Sequence, residues 1–318
     1  MDLVIEIGRL PRPGETITGG DLAFYPGGKG ANQACAAARL GGTTVLVARV
    51  GNDPFGAKLL ESLTASGVDT SGVGISPCST GCASIYVLPD GQNSIVISPG
   101  ANQTLDANAL SGLRSLRAGD LLLCQLEVPI ATVRAALAQA KAAGATTILD
   151  PAPARPLPQD LLMNVDILTP NQTEAAVLTG RSGSRPDDER AAGQIARELL
   201  SLGARHVILK LGKLGCYVAG RDVQAAVPGF EVDSLDSTAA GDVFNGALAV
   251  ALAELMPLTD AARFANAAAA ISVTRRGAQS SIPCRGEVEQ FLRERGFGGI
   301  LVPARKQEWE CSSSETRD

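Results

Sequence analysis

The sequence predicts an α/β protein in which helices cover both faces of a parallel sheet and a small second β-sheet lies beside it. From Gly119 onward, strand-like and helix-like segments alternate strictly, which implies right-handed βαβ crossovers and a parallel sheet. The residues before this point contain short β-branched runs divided by Gly, Pro and Asn, which predict a separate small sheet. The composition is 45% hydrophobic but only 3% aromatic, which is typical of Ala-, Val-, Leu- and Ile-rich helices packed on a parallel sheet.

The N-terminal part of the chain is predicted to contain short strands and two helices. The strand candidates are the runs LVIEIG, ETITGG, ASIYVLP and NSIVISPG. Apolar periodicity predicts helices at about residues 30–40 and 54–65, and the strand TTVLVARVG lies between them.

The rest of the chain is predicted to form the main sheet and its helices. Its strands are predicted at DLLLCQLE, ATTILD, VDILTP and HVILKLG. The first crossover helix has Pro129 at its start and Gly144 at its end, as helices often do. Further helices are predicted at about 186–202, from about 240, at about 260–273 and at about 287–295. The polar segment 297–318 has no periodicity, so it is predicted to be a disordered tail.

Charge and residue counts disfavour several functional classes. The net charge is −5 with both signs interspersed, so no nucleic-acid surface is predicted. The only histidine, His206, lies at a predicted strand start, which disfavours serine-hydrolase and histidine-metal chemistry. Seven scattered cysteines without CxxC pairs predict a reducing compartment, with neither a disulfide framework nor a zinc site.

Targeting and membrane signals are not found in the sequence. The N-terminus MDLVIEIGRLPRPG is too short and too acidic for a signal peptide, and the apolar runs are too short to span a membrane. We therefore expect a soluble cytoplasmic protein with no membrane partner. An organelle-targeting segment upstream of Met1 stays open as an alternative.

The segment STAAGDVFNGAL, at residues 237–248, places an aspartate at the opening of an Ala-rich helix. The backbone N–H groups of Ala239, Ala240 and Gly241 are expected to point outward at the positive helix end, where they suit a transferring phosphoryl group. Asp242 lies within reach of the same hollow and could accept a proton from an attacking hydroxyl. On this motif alone, an ordinary N-capping aspartate is an equally good interpretation.

The segment YPGGKGANQACAAARLGG, at residues 25–42, contains a glycine-rich turn. Its spacing does not match a phosphate loop, because Gly30 follows Lys29 where that loop requires Ser or Thr. No GxGxxG follows a strand, which disfavours a dehydrogenase. The turn would let the backbone approach a ligand closely, with Lys29 and Asn32 able to bond several hydroxyls. A plain turn with a solvated lysine is the alternative.

Three predicted strand ends carry polar groups, in CQLEVP with Glu127, in LDPAPAR and in TPNQTEA. Ligands of open parallel sheets bind beyond the carboxyl ends of the strands, so these groups are candidates for a binding site. Asn171 and Glu174 stand three residues apart at a helix start and could hold Mg²⁺ through water. Each could equally be a helix cap.

The motifs GGKGANQA, PAPAR, TPNQTEA and AAGDVFNGAL, in this order, resemble the ribokinase family within the PfkB group of carbohydrate kinases. The resemblance covers about residues 1–296. It implies a kinase domain over that range, with a β-sheet lid from segments at about 3–26 and 80–100. It also implies ATP as co-substrate, Mg²⁺, activation by a monovalent cation such as K⁺, and a homodimer formed through the lids. The implied reaction is phosphorylation of D-ribose at its 5-hydroxyl, giving ribose 5-phosphate and ADP.

The resemblance also assigns roles to residues of this sequence. Asp242 matches the catalytic base, and Ala239, Ala240 and Gly241 match the anion hole. The implied sugar contacts are Asp2, Gly28, Lys29, Gly30, Ala31, Asn32, Glu127 and Asp242. The implied nucleotide contacts are Asn171, Glu174, Lys210, Leu211, Gly212, Lys213, Leu214, Gly215, Gly241 and Asn266. The implied K⁺ loop, contributing mostly backbone carbonyls, contains Asp236, Thr238, Ser272, Arg275, Gly277 and Ser281, whereas Glu174 is implied for Mg²⁺ through water.

Several alternatives remain open at the level of the sequence. A related kinase for deoxyribose, a ketose or a nucleoside fits the same polar residues. A sugar-binding homologue without turnover is the alternative from another class, and intact Asp242 and Glu174 argue against it.

In the family, a buried strand and a sugar-contacting Asn precede the position matched by Asp2. We therefore expect that this sequence starts too late at Met1 and that the chain as written folds or turns over poorly. Replacement of that strand by the C-terminal tail is disfavoured because the tail is polar.

Overall fold

The protein consists of strands and helices that alternate along most of the chain. A computed structural model describes residues 1–181 and 188–301. The strands are β1 (Asp2–Glu6), β2 (Leu22–Tyr25), β3 (Ala48–Gly51), β4 (Val73–Ser76), β5 (Cys82–Val87), β6 (Asn93–Ser98), β7 (Leu121–Cys124), β8 (Thr146–Leu149), β9 (Ile167–Leu168), β10 (His206–Lys210), β11 (Gly215–Gly220) and β12 (Gln224–Pro228). The α-helices are α1 (Lys29–Arg39), α2 (Pro54–Ala65), α3 (Ile130–Ala142), α4 (Gln159–Leu162), α5 (Gln172–Thr179), α6 (Glu189–Ser201), α7 (Ala240–Ala253), α8 (Leu258–Ser272) and α9 (Arg285–Glu294).

The main sheet has six strands in the order β12-β11-β10-β9-β8-β7. Strands β7 to β10 are parallel, as predicted. The last two strands, β11 and β12, pair antiparallel, so the sheet is mixed. The reason is the connection from β10 to β11, a single 3-10 turn at Gly212–Leu214, which is far too short for the crossover that a parallel pair needs.

Helices cover both faces of the main sheet, and this confirms the predicted α/β architecture. Side chains alternate along each strand, so Ile148 and Ile208 pack with α1, α7 and α8 on one face. Leu149 and Leu209, the next residue in each strand, pack with α3 and α6 on the other face. None of the helices within the described ranges is long and apolar enough to cross a membrane.

The N-terminal half contributes two smaller sheets. Strands β2-β1-β5-β6 form a four-stranded sheet, and β3 and β4 form a parallel pair. The predicted strand over residues 43–51 is mostly absent, because its pairing partner turns at residues 70–73, where the Val73 N–H donates to the Thr70 carbonyl. The run ETITGG forms no strand. Among the described strands none pairs with the second edge of β7.

Two predicted segments, the helix at 186–202 and the tail at 297–318, are described only in part. The helix begins at Glu189, and its predicted start at residue 186 lies in the undescribed range. The tail was expected to lack structure from residue 297, yet Gly298–Ile300 form a 3-10 turn. Phe297 explains this order, because its ring packs edge-on against Phe230 at 5.8 Å between centroids. Residues 302–318 lie outside the described residues.

Helices α1 and α7 pack so closely that no side chain fits at Gly246. A Cβ atom at this position would lie 2.6 Å from the Cβ of Ala36 and 2.7 Å from the backbone oxygen of Gln33. Both distances are below the range that real Cβ contacts adopt. The glycine therefore fixes the separation of the two helices, and this separation places the side chains of α1 against the start of α7.

We expect Gly246→Ala to lower the free energy of unfolding by about 1–3 kcal/mol, because an added methyl group forces the backbone of α1 to move. Urea denaturation measures this change. Gly286→Ala in α9 is the matched control, because nothing lies within 4 Å of a Cβ at Gly286. That variant should be as stable as the unmodified protein or slightly more stable, since alanine is the better helix former. Equal stability of Gly246→Ala and the unmodified protein would show that α1 and α7 separate without strain.

Candidate active site

Polar residues at or just after the ends of strands β7, β8, β9 and β10 gather at one edge of the main sheet, beside the start of α7. Because parallel strands end at the same edge, each strand delivers one side chain there: Gln125, Asp150, Asn171 and Lys210. Helix α1 adds residues from above this edge, and α7 adds Asp242 from its first turn. The site therefore depends on the parallel part of the sheet.

Asp242 is one of the deeply buried carboxylates of the site, with 4% of its surface exposed. Its Oδ2 accepts a hydrogen bond from Asn32 Nδ2 at 3.0 Å, and its Oδ1 accepts one from Gln33 Nε2 at 2.9 Å. Burial raises the pKa of Asp242, the nearby charge of Asp150 raises it further, and Lys29 opposes the rise. A carboxylate with a raised pKa is a stronger proton acceptor, so this environment suits a general base.

The start of α7 has a strained backbone. Ala239, the N-cap residue, adopts the left-handed conformation with φ 58°, which is uncommon for a residue other than glycine. Ala240 and Gly241 follow in the first turn, whose backbone N–H groups have no acceptor within the helix. The expectation that the Ala240 N–H points outward is wrong, because this group donates to the Ser237 carbonyl at 3.2 Å. The ammonium of Lys210 lies 3.5 Å from the position of a Cβ at Gly241. A fixed positive charge and a helix N-terminus thus meet at the predicted anion hole.

The glycine-rich turn before α1 places its residues against the same site. The backbone N–H of Lys29 donates to Glu127 Oε2 at 2.8 Å. Gly28 has φ 95°, a conformation that favours glycine. At Gly27 there is no room for a side chain, because a Cβ there would lie 2.2 Å from Asp2 Oδ2. The structure therefore brings Asp2, Lys29 and Glu127 together, although they are far apart in the sequence. Gly30 and Ala31 lie in the first turn of α1 behind them.

Burial and charge act on the titratable groups around this turn. Burial raises the pKa values of Asp2 and Glu127, and the positive charge of Lys29 opposes this rise in both groups. Burial lowers the pKa of Lys29, but nearby carboxylates, first of all Asp242, more than offset this and leave that pKa raised. The lysine is therefore charged at neutral pH, and it balances acidic groups that could accept hydrogen bonds from hydroxyls.

The proposed nucleotide contacts lie at the β9 and β10 ends. Asn171 caps α5: its side chain accepts from the Glu174 N–H at 2.9 Å, while Glu174 Oε2 accepts from the Asn171 N–H at 2.7 Å. Both are therefore helix-capping residues in this structure. Gly215 must be glycine, because a Cβ would lie 2.2 Å from the Val227 carbonyl oxygen. Lys210 ends β10 and Gly215 begins β11. In the turn between them Leu211 is partly buried, whereas Gly212, Lys213 and Leu214 are exposed.

Asn266 is buried on α8, and its amide nitrogen is directed at the sheet. Its Nδ2 donates to the carbonyl oxygens of Val227 at 3.1 Å and Pro228 at 3.3 Å. This amide therefore ties α8 to the end of β12, next to the turn that contains Gly215. Sequence reasoning placed Asn266 near the nucleotide but did not anticipate this structural contact.

The two segments assigned to a monovalent cation lie against each other. Asp236 Oδ1 accepts from the Thr238 N–H at 2.9 Å, and Asp236 Oδ2 accepts from the Gly277 N–H at 2.8 Å. Arg275 turns its side chain away into an ion pair with Glu287, so only its backbone remains for such a site. The hydroxyl groups of Ser272 and Ser281 donate to carbonyls of their own segment. In the described ranges, no group of His, Cys, Asp or Glu side chains is arranged as a metal site.

Sequence reasoning missed several residues that hold this site together. Gln33 joins two carboxylates, because its Nε2 donates to Asp150 Oδ2 as well as to Asp242, each at 2.9 Å. Gln279 Nε2 donates to Asn32 Oδ1 at 3.3 Å and links the residue 272–281 segment to α1. Gln33 directly follows Asn32 in a quoted motif, but helical spacing alone does not show that both amides face the same aspartate. Asp150 stands in the quoted segment LDPAPAR, where its strand-end position was the available signal.

Comparison with known proteins agrees with this geometry. Residues 1–285 match the model of the pfkB family carbohydrate kinases. The chain belongs to this family. Haemophilus influenzae ribokinase is 41% identical over 293 residues, with 92% of this chain and 95% of the relative covered. The structure of Arabidopsis thaliana ribokinase complexed with ribose and ATP has a TM-score of 0.83 at 35% identity, covering 92% and 95% of the two chains. Salmonella typhi deoxyribokinase is 36% identical over 92% of this chain and 94% of the relative.

We expect Gln33→Met to lower the free energy of unfolding at pH 7.5 by at least about 1.5 kcal/mol, because it removes donors to buried carboxylates. The pKa of Asp242 is raised by burial, and the Gln33 bond favours its ionised form. The loss should therefore shrink as pH falls and Asp242 takes up its proton. Urea denaturation at pH 7.5 and near pH 4.5 measures both values.

The control for this prediction is Gln139→Met on α3, a partly buried glutamine that makes no hydrogen bond to Asp150 or Asp242 within the described residues. Its effect should stay within about 0.5 kcal/mol at both pH values. An equal loss for Gln33→Met at both pH values would show that Gln33 does not bond an ionised carboxylate.

Proposed function

We propose that this protein transfers the γ-phosphoryl group of ATP to the 5-hydroxyl of D-ribose, giving ribose 5-phosphate and ADP. The observation that carries the proposal is the buried Asp242 held at the opening of α7, directly after Ala239, Ala240 and Gly241. A base beside the positive end of a helix suits in-line phosphoryl transfer. The similarity to kinases of ribose supports the choice of this sugar.

In the proposed step, Asp242 takes the proton of the 5-hydroxyl as the oxygen attacks the γ-phosphorus. The new O–P bond forms while the bond from the γ-phosphorus to the bridging oxygen of ATP breaks, and ADP leaves with that electron pair. The N–H groups of Ala239 and Gly241 stabilise the charge on the transferring group. No covalent intermediate on the protein is needed, because the hydroxyl oxygen displaces ADP from the γ-phosphorus in a single step.

The proposed sugar site combines acceptors and donors. The carboxylates of Asp2 and Glu127 would accept hydrogen bonds from hydroxyls, and Lys29 and Asn32 would donate to them. Gly28, Gly30 and Ala31 would leave room for the sugar beside the turn. A 2-deoxyribose kinase is the second candidate, because a deoxyribokinase is 36% identical to this chain. The two candidates differ only in whether the 2-hydroxyl has a partner in the site.

The proposed nucleotide site lies along the turn of residues 210–215 and the capped start of α5. Mg²⁺ would be held by Glu174 through water, together with the phosphates of ATP. The residues fit this role, because each Glu174 oxygen accepts from Asn171 and keeps a second lone pair for a water molecule. The ion would supply positive charge to the phosphates. Asn171 orients the carboxylate that faces it.

A monovalent cation would act at the loop that precedes α7. We place K⁺ near Asp236 and Thr238, with carbonyls of the segment that contains Ser272, Arg275, Gly277 and Ser281. The bond between Asp236 and the Gly277 N–H already ties the two segments together. A cation there would fix the chain just upstream of Ala239, and with it the anion hole.

The four-stranded sheet would serve as a lid and as a dimer interface. Strand register places Asp2 on the same face as Val4, Ile85 and Ile97. This face is apolar yet open, since Ile95 and Ile97 are 50% and 56% exposed. A face of this kind, next to a sugar contact, suits both closure over the substrate and packing against the lid of a second copy.

Asp242→Asn should lower kcat with ribose by at least about 100-fold, because the amide keeps the shape of the side chain but cannot accept the proton. The dissociation constants of ribose and ATP should stay within about threefold. A coupled assay of ADP release with ribose and with 2-deoxyribose measures kcat, and calorimetry measures binding. Retention of more than about a tenth of kcat would exclude Asp242 as the base. Faster turnover of 2-deoxyribose by the unmodified chain would favour the second candidate.

Replacement of Na⁺ by K⁺ at matched ionic strength should raise kcat, because a bound cation orders the loop from Asp236 to Asp242. Asp236→Asn should weaken this response, since it removes a charge that holds both segments, whereas the surface variant Asp90→Asn should keep it. The assay compares K⁺, Na⁺ and a bulky organic cation. Equal rates in all three would leave no role for a cation at this loop.

A further inference from the structure

The ammonium group of Lys210 lies at the anion hole. Lys210 is the last residue of β10, and only 12% of its side chain is exposed. Its Nζ is 3.5 Å from the position of a Cβ at Gly241, in the first turn of α7. The N–H groups of that turn lack partners within the helix and carry the positive end of its dipole. Two sources of positive potential therefore coincide at the place where a transferring phosphoryl group would sit.

A buried carboxylate holds Lys210 in this position. Asp150 directly follows β8 and is 2% exposed, and its Oδ1 accepts from Lys210 Nζ at 3.0 Å. Its Oδ2 accepts from Gln33 Nε2, which donates to Asp242 as well. Gln125 donates to Gln33 Oε1 and thereby fixes which side of that amide faces the two carboxylates. A continuous chain of bonded groups thus runs from the base to the ammonium.

The ion pair itself leaves Lys210 with unused donors. An ammonium has three N–H groups, and Asp150 is the single ion-pair partner of Lys210 within the described residues. A buried ion pair is rarely more stabilising than apolar side chains of similar shape, so stability alone is a weak reason for this pair. A lysine held by one bond, with its other donors beside Gly241, is arranged to bind a second anion.

The geometry points to Lys210 as a further catalytic residue, which donates hydrogen bonds to the oxygens of the transferring phosphoryl group. Asp150 and Gln33 are positioning residues, which hold the ammonium on one side of that group and the base on the other. This inference rests on the proposed function. As the sugar proton passes to Asp242 and ADP departs, Lys210 keeps its own proton and its bond to Asp150. Its contribution is therefore fixed positive charge at the reacting phosphorus.

The main test compares Lys210→Met with the double variant Asp150→Asn/Lys210→Met in the ADP-release assay. We expect Lys210→Met to lower kcat by about 100-fold or more, as the loss of one donor to a developing charge does. The KM for ribose should stay within about twofold. The double variant removes both charges and leaves no unpaired carboxylate, so its folding should be normal. Its kcat should nevertheless stay as low as that of Lys210→Met.

Lys141→Met is the matched control, because Lys141 also pairs with an aspartate, Asp166, at the opposite end of the sheet strands. Its kcat should match that of the unmodified protein. Near-normal kcat in Lys210→Met, or its recovery in the double variant, would reduce Lys210 to a partner of Asp150 and overturn the inference. Loss of cooperative unfolding in the double variant would do the same. An unmodified chain that turns over no sugar would overturn the proposed function instead.

Asp150→Asn tests the positioning role through the pH profile of kcat/KM. The charged groups around Asp242 are Lys29 from α1, Asp150 after β8, Glu127 after β7 and Lys210 at the end of β10. The negative charge of Asp150 raises the pKa of Asp242, so its removal should lower that pKa. The acidic limb of the profile should therefore move to lower pH. A uniform loss of kcat/KM at every pH would leave Asp150 as a structural residue without influence on the base.

Discussion

The site is organised around one constraint, the burial of the Asp242 carboxylate. A carboxylate removed from water needs hydrogen-bond donors and nearby positive charge, or it takes up a proton. Two amides of consecutive residues on α1 supply the donors, and this is possible only because α1 lies against α7 at the separation that Gly246 permits. The helix packing and the environment of this carboxylate are therefore set by the same contact.

Charges of both signs meet at the sheet edge, with the carboxylates in excess. Two lysines, Lys29 and Lys210, face the carboxylates of Asp242 and Asp150, with Glu127 bonded to the turn above them. The two lysines compensate only part of the acidic charge, and the pKa values of Asp2, Glu127 and Asp242 are raised. The incoming phosphates of a nucleotide would bring further negative charge, which the helix end and the lysines are placed to accept.

The sequence allowed much of this arrangement to be predicted. Alternating strands and helices identified the parallel edge, and the residue 237–248 motif identified the start of α7 and Asp242. The contacts that complete the site were not predictable. The bond from Gln33 to two carboxylates joins residues more than a hundred positions apart, and it depends on the packing of α1 against α7. The antiparallel strands β11 and β12 were not predicted. The direction of β11 depends on the short turn after β10, which an apolar pattern does not reveal.

The left-handed Ala239 shows how order at the start of α7 is obtained. A left-handed alanine costs about 1–2 kcal/mol, and glycine would adopt the same conformation almost freely. Alanine, however, has far fewer accessible backbone conformations than glycine in the unfolded chain. Compared with glycine, Ala239 is therefore more strained in the folded chain but loses less backbone entropy when the chain folds. The start of α7 carries this strain before any ligand arrives, so its cost is met during folding and does not recur at each turnover.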